Sequence, residues 1–216
     1  MNGSFFEALE WEKFKLQALS HLSDIFPRCC YFEKALKMMD LIYLTRPTLC
    51  VEIGVYGGGS IYPTACALKY LNLGKVIAID PWNLSHCLEG YSPDQETYQW
   101  WAKKDLELIF WAFVDMIARY DLGDYCRVIR SDGAKAVSGF QDKSIDILHI
   151  DGNHSEAIAL RDAKIYLPKI KKGGYIWFDD IDMPATEMAA SFLSKNGIYL
   201  PDFSVKGKCH LYKFEL

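Results

Sequence analysis

The sequence predicts an α/β fold on a mostly parallel sheet, and three observations carry that expectation. Short β-rich runs alternate with helical patterns from residue 48 onward. The runs are almost continuously apolar, as strands covered on both faces are. The unusual residues fall just past the runs: glycines after the first, Asp80 after the second, Asp151 after the fourth, Asp179-Asp180 after the fifth. In open sheets of this kind, ligands bind beyond the carboxyl ends of the strands.

Taken in order, residues 1–45 read as helices. Phe32, Ala35, Leu36, Met39, Ile42 and Tyr43 repeat with the spacing of one buried helical face, and Pro47 closes the segment. Residues 48–53 form a first strand, followed by a glycine loop and a helix carrying Ile61, Ala65 and Leu68 on one side. Lys75–Asp80, Arg127–Arg130, Ile145–Ile150 and Tyr175–Phe178 are the next four strands. Asn153 and Glu156 have the spacing of a helix-opening capping box, and that helix ends near Pro168. A helix from about Ala185 stops at Asn196-Gly197, and Ile198–Leu216 reads as a hairpin turning at Lys206-Gly-Lys208.

One stretch interrupts the alternation. The 46 residues between Asp80 and Arg127 exceed one crossover helix. Ser92-Pro93-Asp94-Gln95 is a helix-start signature, and a single helix is expected from there to about Tyr120, through Trp100, Trp101, Phe110, Trp111 and Phe113. The expected organisation is therefore an N-terminal helical segment (1–45) and one domain (46–216) with a helical insertion at about 83–120. The insertion would serve as a lid, an oligomer interface or plain core.

Composition bounds the partners. Of 216 residues, 50% are hydrophobic and 24% charged, which excludes a disordered chain. Lys and Arg number 24 against 28 Asp and Glu, and a net charge of −4 gives no electrostatic reason to expect nucleic acid. Seven cysteines without a C-x-x-C pair fit a reducing cytoplasm, with Cys50, Cys66, Cys126 and Cys209 as buried hydrophobes. Met1–Lys15 carries Glu7, Glu10 and Glu12 and no apolar run, so a signal peptide is not expected. Leu108–Val114, the longest apolar stretch, is too short for a bilayer, which needs roughly 20 residues. No membrane association is expected.

The chemistry concentrates in two places. Val51-Glu-Ile-Gly-Val-Tyr-Gly-Gly-Gly-Ser60 runs from strand through glycine loop into helix, where backbone amides and the helix N-terminus approach a ligand closely. It lacks the G-x-G-x-x-G spacing of dinucleotide folds, and its carboxylate and wider glycines suit a nucleoside bearing an amino-acid tail. Asp80, at the end of the second strand, can accept both hydroxyls of a ribose. Asp151, Asp179 and Asp180 form the second constellation. Three carboxylates at adjoining strand ends repel unless a cation neutralises them, and oxygen ligands suit Mg²⁺, Mn²⁺ or Ca²⁺. His154, one turn past Asp151, has the pKa range of a general base. His149 reads as a hydrogen-bonded core residue, and His21, His86 and His210 carry no motif.

The motifs Val51–Ser60, Ile79-Asp-Pro-Trp82, Leu148-His-Ile-Asp-Gly-Asn-His-Ser155 and Gly173-Gly-Tyr-Ile-Trp-Phe-Asp-Asp180 resemble those of class I S-adenosylmethionine-dependent methyltransferases. Within them, the chain is similar to the group that includes the macrocin, macrolide-sugar and aminocoumarin-sugar O-methyltransferases. The resemblance covers about residues 46–216. It implies a Rossmann-like seven-stranded sheet of order 3-2-1-4-5-7-6 with strand seven antiparallel. It also implies that Glu52, Gly54 and Gly58 surround the methionine part of S-adenosylmethionine, with Tyr56, Ser60 and Trp82 also binding the cofactor. Asp80 would hold the ribose, and Ser131 and Asp132 would lie near adenine. By the same resemblance Asp151, Asp179 and Asp180 hold Mg²⁺ or another divalent cation, with His154 and Asp151 as the catalytic pair. The implied reaction is methylation of a hydroxyl on a small molecule such as a sugar or another vicinal diol, with homo-oligomerisation left open. Two other readings stay open: a nicotinamide-dependent oxidoreductase on a similar sheet, and a hydroxylase-like or purely binding relative that transfers no methyl group.

Overall fold

The computed structural model describes residues 2–27 and 29–215, with side chains from Phe6 onward. Seven strands form: β1 Leu49–Ile53, β2 Lys75–Asp80, β3 Cys126–Arg130, β4 Ile145–Ile150, β5 Ile170–Asp179, β6 Ile198–Tyr199 and β7 Cys209–Lys213. Between and around them lie α1 Asn2–Ser20, α2 Phe32–Thr45, α3 Ile61–Leu71, α4 Leu84–Leu88, α5 Glu96–Trp101 and α6 Leu106–Arg119. α7 Gly133–Ala136, α8 Glu156–Tyr166 and α9 Glu187–Asn196 complete the set. The strand order is β3-β2-β1-β4-β5-β7-β6. The first five strands run parallel, and β7 is antiparallel to both β5 and β6. Order and direction agree with the sequence expectation, including the terminal hairpin. Leu216, at the end of the predicted tail, lies outside the described residues.

Strand alternation divides the core. Val51, Ile53, Leu148, Ile150, Ile176 and Phe178 face α8 and α9. Cys50, Val76, Ile147 and Trp177 face the other way, into the layer of α1, α2, α3 and α6. Cys66, Cys126 and Cys209 are buried too, and all seven cysteines are free thiols. Among the described residues, no helix is long and apolar enough to cross a membrane.

Three local expectations are corrected. The buried face of α2 is Lys34, Ala35, Met38, Met39, Leu41 and Ile42, so the helix is rotated from the predicted face and Phe32 is exposed. The single helix expected over 93–120 is two. Gln95 does reach back to accept the Ser92 N–H (2.7 Å), but α5 ends at Trp101, and Asp105 starts α6 afresh by accepting the Leu108 N–H (3.0 Å). That break lets α5 turn Trp101 edge-on to Tyr56 while α6 buries Ile109, Phe113 and Met116 in the core. Gly197 ends α9 in an extended conformation (φ −129°), not a left-handed one. Glycine is required there by packing, since a Cβ would lie 2.8 Å from the Phe214 ring.

Candidate active site

Each predicted motif arrives at the carboxyl edge of the sheet. β1 delivers the glycine loop, whose shape is fixed by contacts that forbid side chains. Gly54 has φ +84°, and a Cβ there would lie 2.1 Å from the Asp151 carbonyl oxygen. The ends of β1 and β4 are thus in backbone contact. Gly54→Ala is expected to destabilise the fold by about 3 kcal/mol or more, combining left-handed strain with a clash against backbone; urea denaturation measures it. Gly58 (φ +80°) is similarly closed off by Phe113 of α6.

A cleft of about 640 Å³, open mouth included, runs along these strand ends and is lined by Gly54, Tyr56, Asp80, Asp132, Gly133 and Asp151 among others. Asp80 reaches the cleft wall, but its oxygens also hold the loop. Oδ2 accepts the Val55 and Tyr56 N–H groups (2.9 Å each), and Oδ1 accepts the Trp82 N–H (2.6 Å). Burial raises the Asp80 pKa, against the pull of the three amides. Asp132 caps α7 by accepting the Ala134 N–H (2.5 Å), and Ser131 stands behind it, its N–H bonded to the Asp80 carbonyl.

Three of the predicted cofactor residues face elsewhere. Glu52 is buried on the α2 side of β1, where it accepts the Ser60 hydroxyl (2.6 Å) and pairs with His149 Nδ1 (3.0 Å). Ser60 therefore braces Glu52. Trp82 is buried against Phe110 and Phe113, with Nε1 donating to the Tyr56 carbonyl (2.8 Å).

The insertion covers the cleft. His86 and Cys87 of α4, Glu89 just past it, and Trp101 of α5 line it. Asn153 ties this cover to the end of β4, donating to the carbonyls of His86 (2.8 Å) and Glu89 (2.9 Å). The same side chain accepts the Ser155 N–H (2.8 Å) just before α8, whose cap is Ser155 and not the predicted Asn153. Asp162 and Arg161 of α8 also line the cleft, joined at 2.8 Å. Burial pushes Asp162 up to about 6, although Arg161 opposes it. Sequence reasoning missed this pair; its one signal was a charged pair within the Ile158, Ala159, Ala163 helical pattern.

The three acids separate into two groups. Strand geometry sends Asp179 to the α2 face, while Asp180, with φ +52°, turns the other way. Asp179 meets His149 Nε2 (3.1 Å) and forms a short ion pair with Lys34. Lys34 also lies 3.3 Å from Asp151 Oδ2, and its side chain is only 3% exposed. Asp180 Oδ2 lies 3.0 Å from His154 Nε2, which is 3.6 Å from Asp151 Oδ1. The Asp180 contact lacks the direction of a hydrogen bond and is an ion pair.

Asp151 therefore stands between two cations. Burial would raise its pKa, but Lys34 and His154 hold it well below the usual carboxylate range. Burial would lower His154, yet Asp151 and Asp180 outweigh it and raise the imidazole to about 9. Lys34 was not singled out from sequence. Its signal was phase: Lys34, Met38 and Leu41 are spaced i, i+4, i+7 on the buried stripe of α2.

A second hollow also adjoins Asp151, lined by Cys29, Cys30, Tyr31, Lys34, Asp151, Asp179, Asp180 and Lys208. Asp151 is common to both spaces.

Comparison with known proteins places these features. Two uncharacterized proteins are similar in sequence: y4gI of Sinorhizobium fredii, 23% identical over 146 residues (67% of this chain, 14% of that protein), and one from Acanthamoeba polyphaga mimivirus, 28% identical over 131 residues (60% and 50%). The chain thus spans half or less of the curated relatives it matches. In structure it is similar to the SAH-bound methyltransferase PaMTH1 of Podospora anserina, with a TM-score of 0.65 at 14% identity over 100% of this chain and 97% of that one. It is also similar to the O-methyltransferase TomG of Streptomyces achromogenes in complex with SAM, at 0.61 and 13% over 95% and 89%. At these identities the likeness is one of fold. The family profile described as a methyltransferase domain matches residues 51–181, more than half of the chain, from β1 to the acids at the end of β5. By that match the chain belongs to the methyltransferase domain family.

Proposed function

We propose that the chain is an S-adenosylmethionine-dependent O-methyltransferase acting on a hydroxyl of a small, polar molecule such as a sugar. The observation that carries this reading is the sharing of Asp151 by two spaces. One is the cleft along the glycine loop, Asp80 and Asp132; the other is the hollow lined by Asp180 and Lys208 among others. Methyl transfer is an in-line displacement on a sulfonium, so donor and nucleophile must approach from opposite sides of one point.

In this reading the donor's amino-acid part lies against the Gly54–Gly58 loop, its ribose near Asp80 and its adenine beside Asp132 and Gly133. The acceptor hydroxyl enters from the hollow beside Asp151 and Asp180, the two carboxylates that contact His154. His154 takes the proton as the methyl group transfers. Asp180, in contact with His154, is a positioning residue that fixes the ring.

A divalent ion held jointly by Asp151, Asp179 and Asp180 fits this donor set poorly. Two of those carboxylates already share the Lys34 ammonium, and the third faces His154. Asp151, His154 and Asp180 do offer one donor atom each within 4.8 Å of one another, but their positions are closed by ion pairing. No step of the proposed reaction is routed through a metal.

Calorimetry with S-adenosylmethionine and its demethylated product tests the donor half, and transfer of a labelled methyl group to a panel of sugars and catechols tests the acceptor half. Asp80→Ala strips three loop amides of their acceptor, and donor affinity is expected to fall at least ~10-fold. Binding of NAD without binding of either methyl-donor form would replace this reading with an oxidoreductase.

A further inference from the structure

We infer that the Lys34 ammonium takes the place in which the family resemblance puts a divalent ion, so that the acid cluster of this chain carries its own built-in cation. The inference rests on the methyltransferase reading and deepens it. Lys34 contacts one oxygen of Asp151 and one of Asp179, the two acids that would have to turn toward a common metal. Asp179 Oδ2 is doubly engaged, because His149 Nε2 lies 3.1 Å from the same atom. A metal ion sharing that carboxylate would sit within a few ångströms of a full positive charge in a site screened little by water.

The ammonium is also fixed in place. Buried Ser60, Glu52, His149, Asp179 and Lys34 form one continuous polar row that ends on the half-buried Asp151. It runs from the N-terminus of α3, behind the glycine loop, to the point shared by the two spaces. β1 and β4 set its register by pairing Glu52 opposite His149. α2 supplies the cation, in phase with the buried Met38 and Leu41, and Lys34 is itself buried. The polar groups beside Lys34 thus pair with one another, and swinging it out would leave Asp151 and Asp179 facing each other in the interior. Such a lysine is permanent where a metal would exchange. It neutralises the acids and holds the Asp151 carboxylate still beside the donor cleft.

The test is a titration of the full wild-type chain with Mn²⁺, read as the electron paramagnetic resonance signal of the free ion, with calorimetric binding of the demethylated donor product on the same sample. The expected result is saturable binding of the nucleoside product and no Mn²⁺ binding up to millimolar concentration. Lys34→Met is expected to gain Mn²⁺ affinity at least tenfold, and the double variant Lys34→Met/Asp179→Asn to lose that gain. The wild-type titration needs no variant to fold. Stoichiometric Mn²⁺ binding by the wild type, lost in Asp179→Asn or Asp180→Asn, would overturn the inference while leaving the methyltransferase reading intact. Failure to bind the nucleoside product would overturn that reading itself.

Discussion

His154→Ala is expected to lower methyl-transfer turnover by ~10²–10⁴-fold, the usual loss on removing a general base, while donor affinity stays within about twofold. Steady-state kinetics beside calorimetry separates the two effects. The wild-type pH profile gives a sharper signature. His154 acts as a base only when neutral, and its pKa is raised from the ordinary 6.5 to about 9. kcat/KM is therefore expected to rise about tenfold per pH unit below 9 and to level off above it, as the neutral fraction grows. Stability should move the opposite way. A raised pKa means the folded state favours the imidazolium. That contribution, on the order of 3 kcal/mol, is fully present below 6.5 and is lost as pH rises through about 9. Activity and stability are thus opposed over that window. An alanine variant with undiminished turnover, or a flat profile from pH 6 to 9, would move the proton to Asp151.

The second large effect is on folding. Lys34→Met removes the one ammonium that Asp151 and Asp179 share, in a site where Lys34 is 3% and Asp179 9% exposed by side chain. Breaking a buried pair from one side leaves an uncompensated charge, and the expected loss is about 3–5 kcal/mol by urea denaturation. Lys34→Met with Asp179→Asn is expected to recover part of that loss, and the double-mutant cycle gives the coupling between them. Acid unfolding carries a second reading. Asp151 has a depressed folded pKa, so its contribution is present above about 3.8 and is lost as pH falls toward the folded value. Without Lys34 that folded value moves up, and the acid transition should begin at higher pH. A Lys34→Met protein as stable as the wild type would mean that the two acids are solvated in solution.

The insertion offers a smaller case of the same logic. Asn153 is the only described side chain that donates to both His86 and Glu89 carbonyls across to α4. Asn153→Ala is expected to loosen the cover over the cleft, read as faster hydrogen exchange at residues 84–90 with the sheet unchanged.

What could be read from the chain alone was whatever depends on local periodicity. Near-continuous apolar runs gave the parallel strands, because a strand with helices on both faces has no polar side. Gly54 and Gly58 marked the loop because no other residue tolerates their backbone and the approach of Asp151 and Phe113. Asp80, Asp132 and Asp151 were found at the cleft because strand ends in such a sheet all open on one edge. Side-chain partners across elements follow from packing instead. Asp179 and Asp180 are neighbours in sequence, yet strand alternation and a left-handed turn at Asp180 send them to different cations. Glu52, placed by motif at the donor, looks the other way because β1 sets it opposite His149. The phase of α2 put Lys34 among the acids, since a helix packed on a sheet is rotated by the sum of its contacts and not by its most apolar stripe alone. Local residue pattern specifies the sheet, its glycine loop and the edge on which the cleft opens. Which charges face one another there was settled by packing, because an ion pair between residues 117 or 145 positions apart has no local signature.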